Sequence, residues 1–192
     1  MIGQLNVNTK AGNEITRIAA QQDVLSIVEI GTWNGCGTTQ CVLLGIKFRP
    51  EVTFYSLECN SEQYALAISN VKQTDNIKLL LGKIVEDAEL YTSNLSPEEQ
   101  TYLKDDLDAF AQVPNVLAQL PEAIDFLILD GGEFSTIAEL AKLKSRCKYI
   151  FLDDTIMRKN KKNRASLIAD SAFELVIEDS TDRHGWSLFK RT

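Results

Sequence analysis

The sequence predicts an α/β fold: a doubly wound, mostly parallel seven-stranded sheet with an antiparallel last strand. Three observations carry this. Short apolar, β-branched runs alternate with stretches of helical spacing, the pattern of βαβ units covered on both faces. The first such run ends in a glycine-punctuated turn that opens a helix. The last two runs have only a polar loop between them, which predicts a terminal hairpin.

Ile15, Ile18 and Ala19 give helical spacing after Thr9. A strand over 24–30 follows, and the turn after it leads into Cys41, Val42 and the apolar run 44–46, the start of a second helix. The second strand covers 52–57. Asn60 or Ser61 can cap a helix carrying Tyr64, Ala65, Ile68 and Val71, and a third strand over 77–81 ends at Gly82. The rhythm then breaks over 86–121. There Ser96, Pro97 and Glu99 supply a cap, a proline at the first helical position and a capping-box glutamate, ahead of Leu103, Leu107 and Phe110. Strands resume over 124–129 and 148–152, with a helix through Ile137, Leu140 and Ala141 between them, and the hairpin takes 173–177 and 187–190. No internal repeat or low-complexity segment interrupts the pattern.

The chain has 192 residues, 44% hydrophobic and 24% charged, which suits a single domain over 1–192 with a helical insertion at 86–121. Its net charge of −7 argues against gripping nucleic acid through an overall basic field. Cys36, Cys41, Cys59 and Cys147 form neither a C-x-x-C pair nor a zinc spacing, and read as reduced thiols in a cytoplasmic protein. No apolar run reaches membrane-span length, and the N-terminus lacks a basic segment followed by a hydrophobic core, so secretion is not expected.

The chemistry begins at Glu29-Ile30-Gly31-Thr32-Trp33-Asn34-Gly35-Cys36-Gly37-Thr38. Glycines permit tight turns and close ligand approach, and the helix that follows presents its N–H groups to the ligand. Dinucleotide folds commonly show G-x-G-x-x-G. Here the pattern is E-x-G-x-x-x-G-x-G, whose carboxylate would repel a diphosphate and welcome an ammonium. A ligand carrying a positive group is expected.

This stretch resembles motif I of class I S-adenosylmethionine-dependent methyltransferases, whose fold is Rossmann-like. The resemblance implies S-adenosylmethionine as cofactor, held by Glu29, Gly31, Thr32, Trp33, Asn34, Gly35, Gly37 and Thr38. Glu58, closing the second strand, is placed to accept hydrogen bonds from both ribose hydroxyls. Cys59 and Lys83 then fall near the adenine. The ending Gly185-Trp186-Ser187-Leu188-Phe189-Lys190 is similar to the last strand of small-molecule members.

Asp130-Gly131-Gly132-Glu133 looks like the D-G-D-H segment of catechol-type and macrocin-type O-methyltransferases, with Asp130 matching and Gly132 and Glu133 departing. That resemblance implies a cofactor and metal role for Asp130, and Glu133 can replace the absent histidine as base or ligand. Asp153 and Asp154 are similar to the family's second metal segment, so Asp130, Asp153 and Asp154 are the candidate Mg²⁺ ligands. Helix capping and solvation are the alternative use of that pair. Asp130, Glu133 and Asp153 are the candidate catalytic residues, with Asp154 a further base. His184, the only histidine, reads as a surface turn residue.

The run from Arg158 to Arg164 reads as a solvated basic face, with attraction of an anionic acceptor as its functional alternative. The insertion is expected to wall or cover the acceptor; packing, or a homodimer contact through Leu103, Leu107 and Phe110, is its other use. The reaction expected is O-methylation of a small molecule, a sugar or other natural product, with neither membrane nor nucleic acid as partner. A non-catalytic binding module and a nicotinamide-dependent oxidoreductase are the alternatives.

Overall fold

A computed structural model describes residues 5–192; residues 1–4, which the domain and N-terminal expectations include, lie outside the described part. Seven strands form one sheet in the order β3-β2-β1-β4-β5-β7-β6. They are β1 (Ser26–Ile30), β2 (Thr53–Glu58), β3 (Ile77–Leu81), β4 (Ile124–Leu129), β5 (Cys147–Asp153), β6 (Phe173–Asp179) and β7 (Trp186–Arg191). The first five are parallel, and β7 runs antiparallel to both β5 and β6. The predicted sheet is therefore the observed one.

The helices are α1 (Lys10–Ala19), α2 (Thr38–Gly45), α3 (Ser61–Asn70), α4 (Pro97–Phe110), α5 (Thr136–Leu143) and α6 (Arg158–Ala169). Local chemistry sets their starts. Thr9 accepts from the Gly12 N–H, Asn60 from those of Glu62 and Gln63, and Ser96 and Glu99 close a reciprocal capping box on α4. The first strand begins at Ser26, not at Val24, because the Asp125 carboxylate takes the N–H groups of Leu25 and Ser26 at 2.8 and 3.0 Å.

Side chains alternate across each strand, so β1 sends Ile27 to one face and Val28 and Ile30 to the other. On the first face Ile15, Ile18, Cys41 and Val42 of α1 and α2 pack against Phe54, Phe126 and Phe151. On the second, Leu140 and Leu143 of α5 and Leu167 of α6 pack against Leu127, Leu129 and Ile150. Leu103, Leu107 and Phe110 of the insertion join this second core, so the packing use of that helix is realised. Edge strand β6 carries a register shift: Leu175 pairs Phe189 and Ile177 pairs Leu188, leaving Val176 as the extra residue.

From β1 the chain winds outward to β3, then crosses back to place β4 on the other side of β1. That reversal opens a crevice at the carboxyl ends of β1 and β4, where open α/β sheets bind ligands. Among the described residues no helix is long and apolar enough to cross a membrane.

Candidate active site at the strand reversal

Two cavities meet in this crevice. The larger, about 480 Å³, is walled by Ile30, Leu57, Glu58, Cys59, Lys83 and Ile84 from the strand ends and by Tyr102, Asp106 and Phe110 from α4. The smaller, about 200 Å³, is polar, with Thr32, Gly37, Thr38, Asp154, Lys159 and Arg183 in its wall. Gly31, Trp33 and Asp130 line both. The insertion therefore closes the larger chamber and contributes nothing to the small one.

The loop after β1 is shaped by close backbone approach. Gly31 has φ +100°, and a Cβ there would lie 2.3 Å from the carbonyl oxygen of Asp130. Trp33 (φ 51°), Asp154 (φ 54°) and Arg183 (φ 55°) are non-glycine residues in the left-handed region, and all three line the small cavity. Such conformations cost about 1–3 kcal/mol each and collect at functional sites. The hairpin turn, closed by the Gly185 N–H on the Asp182 carbonyl at 2.9 Å, carries Arg183 there.

Several expected ligand residues line these walls: Gly31, Thr32, Trp33, Gly37, Thr38, Glu58, Cys59, Lys83 and Asp130. Glu58 accepts the Trp33 N–H on Oε2 at 2.7 Å and the Asn60 N–H on Oε1 at 2.9 Å. Burial pushes its carboxyl upward. Lys83 stands 3.1 Å from Asp87 and over the Phe110 ring.

Three expected ligand residues, Glu29, Asn34 and Gly35, line neither cavity. Glu29 shares the strand face of Ile27, which α2 covers, whereas the larger cavity opens on the Ile30 side. Its Oε2 accepts from the hydroxyls of Ser56 and Thr39, and Ser56 is linked in turn to Thr32. Burial pushes the Glu29 carboxyl up to about 8. It fastens the loop from below, and its Oε1 is buried without a hydrogen-bond partner. Asn34 accepts the Cys36 N–H within the loop. Gly35 admits α3, since a Cβ there would lie 2.7 Å from Val71.

The acceptor-side residues divide as well. Glu133 Oε1 takes the Lys159 N–H at 3.1 Å in the first turn of α6, and Glu133 lines neither cavity. Through this bond Glu133 caps the start of α6. Asp153 is buried behind the small cavity, its carboxyl pushed well up by burial and by the charge of Asp130. Asp154 lines the cavity and keeps an unpartnered Oδ1. His184 is an exposed turn residue, as expected.

Asp130, Asp153 and Asp154 do converge, each offering an oxygen within 4.8 Å of the others. The Lys159 ammonium stands among them, however, with Nζ 2.6 Å from Asp130 Oδ1 and 3.1 Å from Asp154 Oδ2. The other Asp130 oxygen accepts from the Thr38 hydroxyl at 2.8 Å. A Mg²⁺ ion bound by all three residues would have to displace this ammonium from Asp130 Oδ1 and Asp154 Oδ2.

The run 158–164 is thus not one solvated face. Lys161 and Lys162 are exposed, Arg158 pairs with Glu99 and Arg164 with Glu178, while Lys159, Asn160 and Asn163 are buried. Asn160 donates to the carbonyls of Leu129 at 3.1 Å and Asp153 at 2.7 Å, tying α6 to the ends of β4 and β5. The two asparagines and Leu167, spaced along one helix face, are the sequence signal that 158–164 has a buried side. Sequence reading also passes over Asp106, Ser135 and Glu139. These line the larger cavity, where the Ser135 hydroxyl and the Glu139 carboxyl are buried beside each other. Burial raises Asp106 to about 6 and Glu139 to about 7.

No known family profile matches the sequence, and no curated protein matches it. Solved structures do. An SAH-bound methyltransferase of Podospora anserina, PaMTH1, superposes with TM-score 0.63 at 15% identity, over 94% of this chain and 77% of that one. This chain has the class I methyltransferase fold. A Staphylococcus aureus protein assigned provisionally as a caffeoyl-CoA O-methyltransferase gives TM-score 0.65 at 11% identity, over 97% and 85% of the two chains. A Geobacter sulfurreducens methyltransferase gives 0.64 at 13%, over 97% and 80%. At these identities the likeness is one of fold.

Proposed function

We propose that this protein transfers the methyl group of S-adenosylmethionine to a hydroxyl of a small molecule. The observation that carries the reading is the meeting of the two cavities at Gly31, Trp33 and Asp130. One is a chamber sized for a nucleoside; the other is a polar recess around which backbone strain is concentrated. The SAH-bound relative in fold supports the cofactor.

The chamber suits the cofactor. Each Glu58 oxygen already accepts one N–H, which orients the carboxylate and leaves lone pairs for a ribose diol. Ile84 and Phe110 supply apolar walls for a purine. Asp106, Asp130 and Glu139 make the chamber acidic, favouring a ligand that carries a sulfonium and an ammonium. The bound cofactor supplies an electrophilic methyl; the protein aligns it and excludes water.

The acceptor belongs in the polar recess. Of the carboxylates proposed as base, Asp154 alone lines it with an oxygen free, and Asp154 takes the hydroxyl proton as the nucleophile attacks. Arg183 offers a counter-charge to an anionic acceptor. No step runs through a divalent ion.

Calorimetric titration with S-adenosylmethionine, S-adenosylhomocysteine and NAD, with and without Mg²⁺, tests the reading. Binding of the two adenosyl-sulfur ligands alone is expected. Binding of NAD in their place would overturn the cofactor assignment, and binding of none would favour a non-catalytic module.

A further inference from the structure

We propose that Lys159 is the resident cation of the acidic recess: its ammonium fills the place among Asp130, Asp153 and Asp154 that a divalent metal would need. The site is therefore complete without a metal ion. Three observations support this, and none depends on methyl transfer.

Lys159 is held from both ends. Its backbone N–H is capped by Glu133, the next residue, Asn160, ties the same helical turn to the carbonyls of Leu129 and Asp153, and Nζ touches two carboxylates. The side chain is only 8% exposed, so withdrawing it to admit a metal would bury an ammonium without counter-charge or leave its place to water.

Three of the donor oxygens are already engaged. One Asp130 oxygen faces Lys159 and the other Thr38, and one Asp154 oxygen faces Lys159. Asp153 Oδ2 is flanked by Arg183 at 3.5 Å, a second cation on the same cluster. A hard divalent ion asks for carboxylate oxygens free to coordinate at about 2.0–2.1 Å.

The charges also balance differently from those of an open metal site. Three carboxylates face two fixed cations, Lys159 and Arg183.

The test titrates the full chain with Mn²⁺, following the free ion by electron paramagnetic resonance. Wild type and Lys159→Arg should leave the signal of the free ion unchanged, whereas Lys159→Met, which opens the triad, should take up Mn²⁺ and lose it again when Asp154→Asn is added. Uptake by wild type that Asp154→Asn removes would overturn the inference. So would failure of folded Lys159→Met to bind, since the triad would then have no cation-holding geometry to pre-empt. Should Lys159→Met not fold, the wild-type and Lys159→Arg titrations still decide. Failure here leaves S-adenosylmethionine binding untouched, so this inference and the proposed function fail separately.

Discussion

Glu58 shows how one side chain can be both structural and receptive. It anchors the N–H groups of Trp33 and Asn60, joining the loop after β1 to the start of α3, and still faces the chamber. Glu58→Gln keeps the shape but exchanges an acceptor for a donor. Affinity for S-adenosylhomocysteine should fall at least about tenfold, the loss of about 1.4 kcal/mol expected for a charge-assisted hydrogen bond. Unchanged affinity by calorimetry would remove Glu58 from the site. Glu29 teaches the opposite lesson. The motif places a carboxylate two residues before a glycine, but strand parity sends it to the face that α2 covers. Its position was legible in the sequence; its direction needed the sheet.

At the scale of elements, what was legible was local. The capping box of α4 lies within Ser96 to Glu99, so the helix could be located in an otherwise irregular stretch. Its target was not legible, because Leu103, Leu107 and Phe110 pack on a core built mainly from distant strands. Phe110→Ala should cost about 3 kcal/mol by leaving a cavity, and should also weaken adenosyl-ligand binding because Phe110 walls the chamber. Chemical denaturation and calorimetry on the same variant separate the two effects. Ser96→Ala, at the exposed cap, should cost only about 1 kcal/mol and leave binding unchanged. A binding loss with Ser96→Ala would mean that the helix start itself shapes the chamber. The basic run was misread for a related reason: Lys159 is buried by carboxylates that arrive from β4 and β5, and composition carries no trace of that meeting.

For the whole molecule, buried acids set the response to pH. Burial raises Glu29 to about 8, Glu139 to about 7 and Asp106 to about 6, from 4.5, 4.5 and 3.8. Between the unfolded and folded values the native state binds more protons than the unfolded chain, so stability falls as pH rises through this window. Each group contributes a slope of up to about 1.4 kcal/mol per pH unit there. Glu99 acts oppositely: the Arg158 hydrogen bond holds its carboxyl down to about 2, and that contribution is lost on acidification. The melting temperature should peak near about pH 5 and decline toward about pH 8. Glu29→Gln should lessen the decline; a flat profile in both proteins would show that Glu29 does not titrate with folding. The extra residue Val176 on edge strand β6 bears on the molecule at high concentration. It interrupts the row of free amides and carbonyls beside Leu175 and Ile177, which are 40% exposed, so the apolar edge offers no straight template on which another chain's strand could grow. One surplus valine thus guards the most aggregation-prone margin of the sheet.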